Sequence, residues 1–366
     1  MSVRRFKFLL RCLRFDNFHT REDRKQDDQF AAIREMWDSF CLNLRRFYIA
    51  DANLTIDEQL LGYRGRVPGR IYMKSKPRKH GLKIFWCCES STGYALNGFL
   101  YGGRRRNQRA HTNLGTDVVM TLSEPFFGTG RDICADNFFT CHDLAVKLLE
   151  KNLTLIGTLR MNRREVPELM RRKMPLYKSI FLFDHNHAIT VVAYRATKSR
   201  TVILLSSSHT SSDTIDDESR KPLLIFDYNQ FKGRVDTLDE NIEEFSVRRK
   251  TVRWPLLFFY NLIDVATNNA HIIMKRNGYL HSKKEFMKRL SFNLAKEYVH
   301  KRTEANSKLK RSVRLAAVEV GFIQPPAVNL PLSSDPVQTP RRCHVCRKST
   351  RSVCDQCPKP ICGAHS

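Results

Sequence analysis

Residues 54–66 read LTIDEQLLGYRGR, and the reading of this stretch decides the fold. Leu54, Ile56, Leu60 and Leu61 give it the apolar content of a buried strand, yet Asp57 and Glu58 interrupt it with adjacent carboxylates. The segment that follows, GRIYMKSKPRKHG at 69–81, surrounds that pair with cations. The whole chain is basic: 63 Lys plus Arg stand against 37 Asp plus Glu over 366 residues, a formal net charge of +26. Such an imbalance favours a polyanionic partner through phosphate contacts and counterion release. An acidic pair retained there has a task that cations cannot perform.

The bulk numbers exclude several classes. A hydrophobic content of 42% with 23 Phe supplies packed cores, and the length predicts two or three domains. The longest apolar run, near 254–263, is broken by Asn261 and Asp264, well short of the roughly 20 residues a membrane span needs. The basic start, MSVRRFKFLLRCLRFDN, has an apolar portion only at 8–10, which is no signal peptide. The 11 Cys are therefore expected in a reducing compartment, as metal ligands or buried thiols.

Along the chain, apolar residues at 30, 33, 37, 40, 44 and 47 predict an amphipathic helix over 30–47. Strands are predicted at 52–61, 83–89, 94–101, 132–136 and 153–160, with helices at 114–122 and 140–150. Residues 179–207 read as three short strands, a β insertion. A strand is predicted at 223–228 and a helix from 235. A long helix at 254–275 is closed by Gly278, and a basic helix follows at 283–314. Five of the 14 prolines fall in 324–340, a linker. This order suits a mixed α/β core carrying an insertion.

Asp57, Asp136 and Asp236 each follow a short apolar stretch that brings them to the edge of one sheet. Converging carboxylates repel unless a cation sits between them. Mg²⁺ (or Mn²⁺) is the economical cation, taking oxygen ligands and leaving positions for phosphate. At the far end, CHVCRKSTRSVCDQCPKPICGAH (343–365) holds two CxxC pairs and a CxxH, a strong Zn²⁺ signal.

The segments LTIDEQLLGYRGR, GYALNGFLYGG, CADNFFT, IGTLRMNRREVPELM, DYNQFKGRVDTLDE and SVRRKTVRWPLLFFYNLIDVATNNAHI occur in this order. Together they resemble the piggyBac transposase family along almost the whole chain. The resemblance implies an RNase H-like catalytic core at 52–162 and 223–245, a β-rich insertion at 163–222, and a helical dimerisation and DNA-binding domain at 1–51 and 246–323. A linker at 324–340 and a cysteine-rich zinc module at 341–366 complete it. It implies a catalytic triad of Asp57, Asp136 and Asp236, with Asp239 as a further metal-site carboxylate. It implies metal-dependent cleavage at transposon ends, a hairpin intermediate, joining to TTAA sites in double-stranded DNA, a homodimer, and action in the nucleus. The alternative is a domesticated or defective derivative that binds DNA without transposing it.

The same resemblance assigns Cys343, Cys346, Cys362 and His365 to one zinc, and leaves Cys354 and Cys357 as an incomplete second site. It places the chain as shortened at its N-terminus and in the zinc module. Arg234 stands where the family has a second Gly before the third aspartate. Cationic stretches at 70–83, 104–109, 160–172, 248–253 and 301–314 are expected to hold phosphates, with Arg104, Arg105, Arg106, Arg248, Arg249 and Lys250 foremost. Trp254 reads as a core aromatic or, by resemblance, as a residue stacking near flanking DNA.

Overall fold

Alternation along a single strand sets the architecture. In the segment 80–89, Leu82, Ile84, Trp86 and Cys88 point to one cluster of buried side chains while Phe85 and Cys87 point to another. A period-2 strand buried on both sides needs helices on both faces of its sheet. The computed structural model has that arrangement and describes residues 1–67, 69–74, 76–103, 113–184, 186–304, 309–322, 339–354 and 357–365.

Three helices, α1 (Val3–Cys12), α2 (Arg21–Asp27) and α3 (Arg34–Arg46), precede the sheet. Strands β1 (Asn53–Gly62), β2 (Ile71–Tyr72), β3 (His80–Glu89) and β4 (Ala95–Tyr101) follow. Then come α4 (Leu114–Ser123), β5 (Asp132–Ala135), α5 (His142–Leu149), β6 (Thr154–Thr158) and the single turn α6 (Glu168–Arg171). Strands β4, β3 and β1 are antiparallel neighbours, and β5 and β6 extend the sheet parallel to β1.

The β-rich stretch supplies β7 (Ser179–Asp184), β8 (Ile189–Arg195) and β9 (Thr201–Ser206). These are the three strands expected, and they continue the core sheet: β9 pairs antiparallel with β6, then β8 and β7 follow outward. The result is one nine-stranded sheet.

The predicted strand at 223–228 is a helix, α7 (Leu223–Phe231). Leu224, Ile225 and Tyr228 lie at helical spacing and are buried with Cys134, Ile156, Val192 and Leu204 of the sheet. A short apolar run cannot distinguish strand from buried helix by pattern alone, and here packing on a sheet face selects the helix. Each large apolar side chain so buried contributes about 1.5–3 kcal/mol. The predicted helix at 30–47 begins only at Arg34, because Asp28 ties the preceding turn to the Phe30 N–H and the Arg34 guanidinium.

Helices α8 (Arg234–Glu244) and α9 (Trp254–Arg276) pack with α3 on the face carrying Trp86. Gly278, at φ 86°, follows α9 as expected. Next are α10 (Lys283–Glu304) and α11 (Arg311–Glu319), then the small hairpins β10 (Arg341–Arg342) with β11 (Ser349–Thr350) and β12 (Val353–Cys354) with β13 (Cys357–Pro360). The chain divides into two compact units, Met1–Met287 and Lys288–Ser366. Among the described residues no helix is long and apolar enough to cross a membrane.

Candidate active site and metal centres

The parallel pairing of β1 with β5 runs from Asn53↔Asp132 to Ile56↔Ala135. The next residues in register are Asp57, midway along β1, and Asp136, just past the end of β5, so the two carboxylates are neighbours at the carboxyl edge of the parallel pairing. That edge is where open α/β sheets hold their ligands. Gly157 lies opposite Ala135 on β6, and a Cβ there would meet Thr140 Oγ1 at 2.1 Å and Ala135 O at 2.7 Å. The close approach lets Thr140 cap the turn that carries Asp136, donating from Oγ1 to Asp136 O at 2.8 Å. Asp136 Oδ1 in turn accepts the Phe138 N–H at 2.8 Å.

Asp236 enters from α8, and the end of α7 just before it is bonded to the sheet: Thr55 Oγ1 on β1 donates to Phe231 O at 2.8 Å. Gly233, at φ 79°, makes the turn before the helix. Arg234 is already the first residue of α8, so the left-handed position that requires glycine lies one residue earlier and is occupied by one. Asp236 sits in the first turn of α8, where the helix dipole favours an anion.

The three carboxylates share one electrostatic field. Burial, then Glu58, and further off Asp136 and Asp236, push the Asp57 carboxyl up to about 7, against the Glu58 N–H it accepts. Burial also raises Asp136, opposed by the Phe138 N–H and the cations Lys83 and Arg160. An all-oxygen donor set in which burial and neighbouring carboxylates disfavour the charge on Asp57 fits a hard divalent cation.

Two lysines from the cationic stretch 70–83 turn inward rather than outward. Lys76 Nζ lies 2.8 Å from Asp236 Oδ1 and donates to Glu58 O at 3.1 Å. Lys83, buried above the rings of Phe85 and Phe138, reaches Glu58 Oε2 at 3.4 Å. Glu58 is thus a lysine partner. Asp239, one turn beyond Asp236, accepts from Gln59 Nε2 at 2.7 Å; Gln59 Oε1 accepts from Trp86 Nε1 and Asn261 Nδ2. Burial raises the Asp239 carboxyl, and the Gln59 amide opposes it. Lys76 and Lys83 lie in the stretch 70–83 expected to hold phosphates, but their carboxylate partners, and Gln59 as a site residue, were not legible. Partners lie up to 202 positions away, and no local pattern marks them.

Among the described residues, two sets of three or more ligand atoms lie within 4.8 Å of one another: Cys343, Cys346, Cys362 and His365; and His142, Asp184 and His187. Asp57, Asp136 and Asp236 are not such a set, consistent with mutual repulsion and with the pull of Lys76 on Asp236. In the first set Cys362 Sγ lies 3.5 Å from Cys346 Sγ and 3.1 Å from His365 Nδ1, and Cys343 Sγ accepts the Cys362 N–H at 3.4 Å. Backbone N–H groups, that of Cys346 first, draw the Cys343 thiol down to about 6. A depressed thiol pKa is what a thiolate ligand needs. Cys354 and Cys357 pair across the β12–β13 hairpin, and the side chain of Cys357 lies outside the described residues.

Of the residues expected to touch DNA, Arg104, Arg105 and Arg106 lie outside the described residues. Arg248 is half-buried and donates to the carbonyl of Gly62. Arg249 and Lys250 are exposed and, with Arg64, Arg78, Lys79 and His80, line a cleft of about 710 Å³. Trp254 packs edge-on against Phe30 and Phe258, at 5.9 and 6.0 Å between centroids.

Three antiparallel strands continued by two parallel ones, with acidic side chains at the carboxyl edge, define an RNase H-like core. The Transposase IS4 family model matches residues 1–271. A piggyBac transposase, solved by cryo-electron microscopy as a synaptic complex with hairpin DNA, is 38% identical, with a TM-score of 0.82 covering 100% of this chain and 78% of that one. Human PiggyBac transposable element-derived protein 3 is 25% identical over 68% of this chain and 45% of its own length. Human PiggyBac transposable element-derived protein 2 is 24% identical, over 74% of this chain and 48% of its own. The chain therefore spans about half the length of these curated relatives. It belongs to the piggyBac transposase family.

Proposed function

We propose that this chain is a cut-and-paste DNA transposase with Asp57, Asp136 and Asp236 as its catalytic carboxylates. The observation that carries the reading is the register: Asp57 on β1 and Asp136 at the end of β5 stand next to each other where the parallel pairing ends, within the field of Asp236 on α8. These three residues would hold Mg²⁺ or Mn²⁺, which when bound supplies the charge that polarises a phosphodiester and activates the attacking hydroxyl. Asp57 and Asp136 are fixed by the sheet. Asp236 is exposed and paired with Lys76, so to serve as a metal ligand it would have to give up that ammonium. Asp239 stays with Gln59 and holds the helix bearing Asp236 against β1. Arg249 and Lys250, beside the same sheet edge, bring the DNA backbone to the carboxylates.

By family resemblance the substrates are transposon ends and TTAA targets, passing through a hairpin, with the enzyme acting as a homodimer in the nucleus. The Cys343, Cys346, Cys362 and His365 set would hold Zn²⁺ and stabilise its own module.

The test is excision in cells of a reporter bracketed by the sequences that flank this gene, with the wild-type chain beside Asp136→Asn. Seamless excision that restores TTAA and is lost in the variant is the expected result. No excision from either chain, with DNA binding retained, would overturn it in favour of a DNA-binding derivative.

A further inference from the structure

The β7–β8 hairpin carries a cluster that the carboxylate site does not use. Asp184 closes β7, His187 lies three residues on in the turn, and His142 opens α5. His142 Nε2 and His187 Nδ1 approach the same oxygen, Asp184 Oδ2, at 3.0 and 2.9 Å. The other oxygen, Oδ1, accepts the Asn186 N–H at 3.0 Å, which fixes the orientation of the carboxylate. The two imidazole rings stand at 89° with centroids 5.7 Å apart. One ligand atom from each of the three residues lies within 4.8 Å of the others.

The contacts as they stand are hydrogen bonds of ordinary length to one carboxylate oxygen, and pairs this accessible contribute little stability. The same atoms are also placed as metal ligands. The side chains are 37%, 30% and 44% exposed for His142, Asp184 and His187, so water reaches the cluster directly. Two neutral imidazole nitrogens and one carboxylate, with an open position for water, form a three-ligand set suited to zinc. Imidazole donors select first-row transition ions over Mg²⁺ or Ca²⁺.

We propose that His142, Asp184 and His187 form a binding site for a divalent transition ion, with Zn²⁺ as the matched occupant, that staples the β7–β8 hairpin to the first turn of α5. The donors are nitrogen and oxygen, so the site is chemically distinct from the thiolate-rich set at 343–365. Helix α5 begins at His142, six residues beyond Asp136 in the chain, so the staple also steadies the turn that bears Asp136. The proposal stands independently of the transposase reading.

The test uses the full chain, stripped of metal and reloaded with Co²⁺ as a spectroscopic probe. Thiolate-to-cobalt charge transfer reports the cysteine set, while d–d absorption without it reports His and Asp ligation. His142→Ala and His187→Gln should each lower the bound cobalt by about one equivalent per chain and leave the charge-transfer band unchanged. The glutamine keeps a hydrogen-bond donor for Asp184, the unchanged band shows that the cysteine set remains loaded, and unchanged amide exchange at β1 and β5 shows that the sheet remains folded. Zn²⁺ should also slow amide exchange across 179–195 in the wild type and not in His187→Gln. Equal cobalt content and equal d–d intensity in the wild type and both variants would overturn the proposal and leave a hydrogen-bonded cluster only.

Discussion

The carboxylate edge and the cysteine-rich module are supported in opposite ways. Asp57 and Asp136 project from a sheet buried on both faces, with Leu54, Ile56, Ile133 and Trp86 enclosed beside them. In the module, the described residues of 341–365 that are buried are Cys343 and Thr350, so a ligand residue is itself the core. A segment that small seldom folds without metal or crosslinks. On the proposed reading, the first site would be shaped by folding before any cation binds, and the second would acquire its shape from the ion.

The sharpest way to break this comparison is to remove ligands from each side. Cys343→Ser, or chelation, should abolish the protection of amides across 341–365 altogether, since metal binding there is folding free energy. Amide exchange at β1 and β5 should not change, and Asp57→Asn should leave both regions protected. A Cys343→Ser variant with a fully protected module would refute the contrast.

Support for the carboxylate edge can be weakened from beneath. Gln59→Leu strands the buried amide of Asn261, the indole N–H of Trp86 and the Asp239 carboxylate together. It should cost about 3 kcal/mol in urea unfolding. Gly157→Ala pushes a methyl group into Thr140 and Ala135, and should cost about 2 kcal/mol. Because Asp136 follows Ala135, that variant should lower excision by more than its stability loss explains. Equal losses would mean that Gly157 supports the fold and not the site.

How much of this was legible in the sequence depends on the range of the interaction. Asp57 and Asp136 follow apolar runs that announce strands, and the paired cysteines announce a metal by spacing alone. Alternation also marked the three strands of 179–207. The stretch 223–228 misled because its apolar residues suit either a strand or a short helix, and only the sheet face beneath Leu224 and Tyr228 decides. Lys76 and Lys83 read as members of a cationic run facing phosphates. Their inward turn depends on Asp236 and Glu58, brought near by β-pairing and by the packing of α8. His142 and Asp184 lie 42 residues apart and meet only once the hairpin has joined the sheet.

The smallest predicted effect isolates what a cation does for an enclosed carboxylate. Asp16, like Asp57, has its side chain largely shut away from solvent, but two guanidinium groups meet it: Arg21 at 2.9 and 2.5 Å and Arg24 at 2.8 Å. The Arg21 hydrogen bond, helped by Arg24, outweighs burial and holds the Asp16 carboxyl below its ordinary value of 3.8. Asp57, with carboxylates rather than cations beside it, is displaced upward by burial first and by Glu58, Asp136 and Asp236 after it. For Asp16 the unfolded chain binds the proton more readily, so stability rises with pH through this window. It is fully present above the ordinary value and lost as pH falls through the folded one. Asp16→Asn should therefore cost about 1.5 kcal/mol at about pH 7 and progressively less at acid pH below the ordinary value of 3.8. Amide exchange in α2 across that range measures this directly. A cost that does not change with pH would mean that Asp16 acts through shape alone, and the contrast with Asp57 would then no longer argue for a cation at the sheet edge.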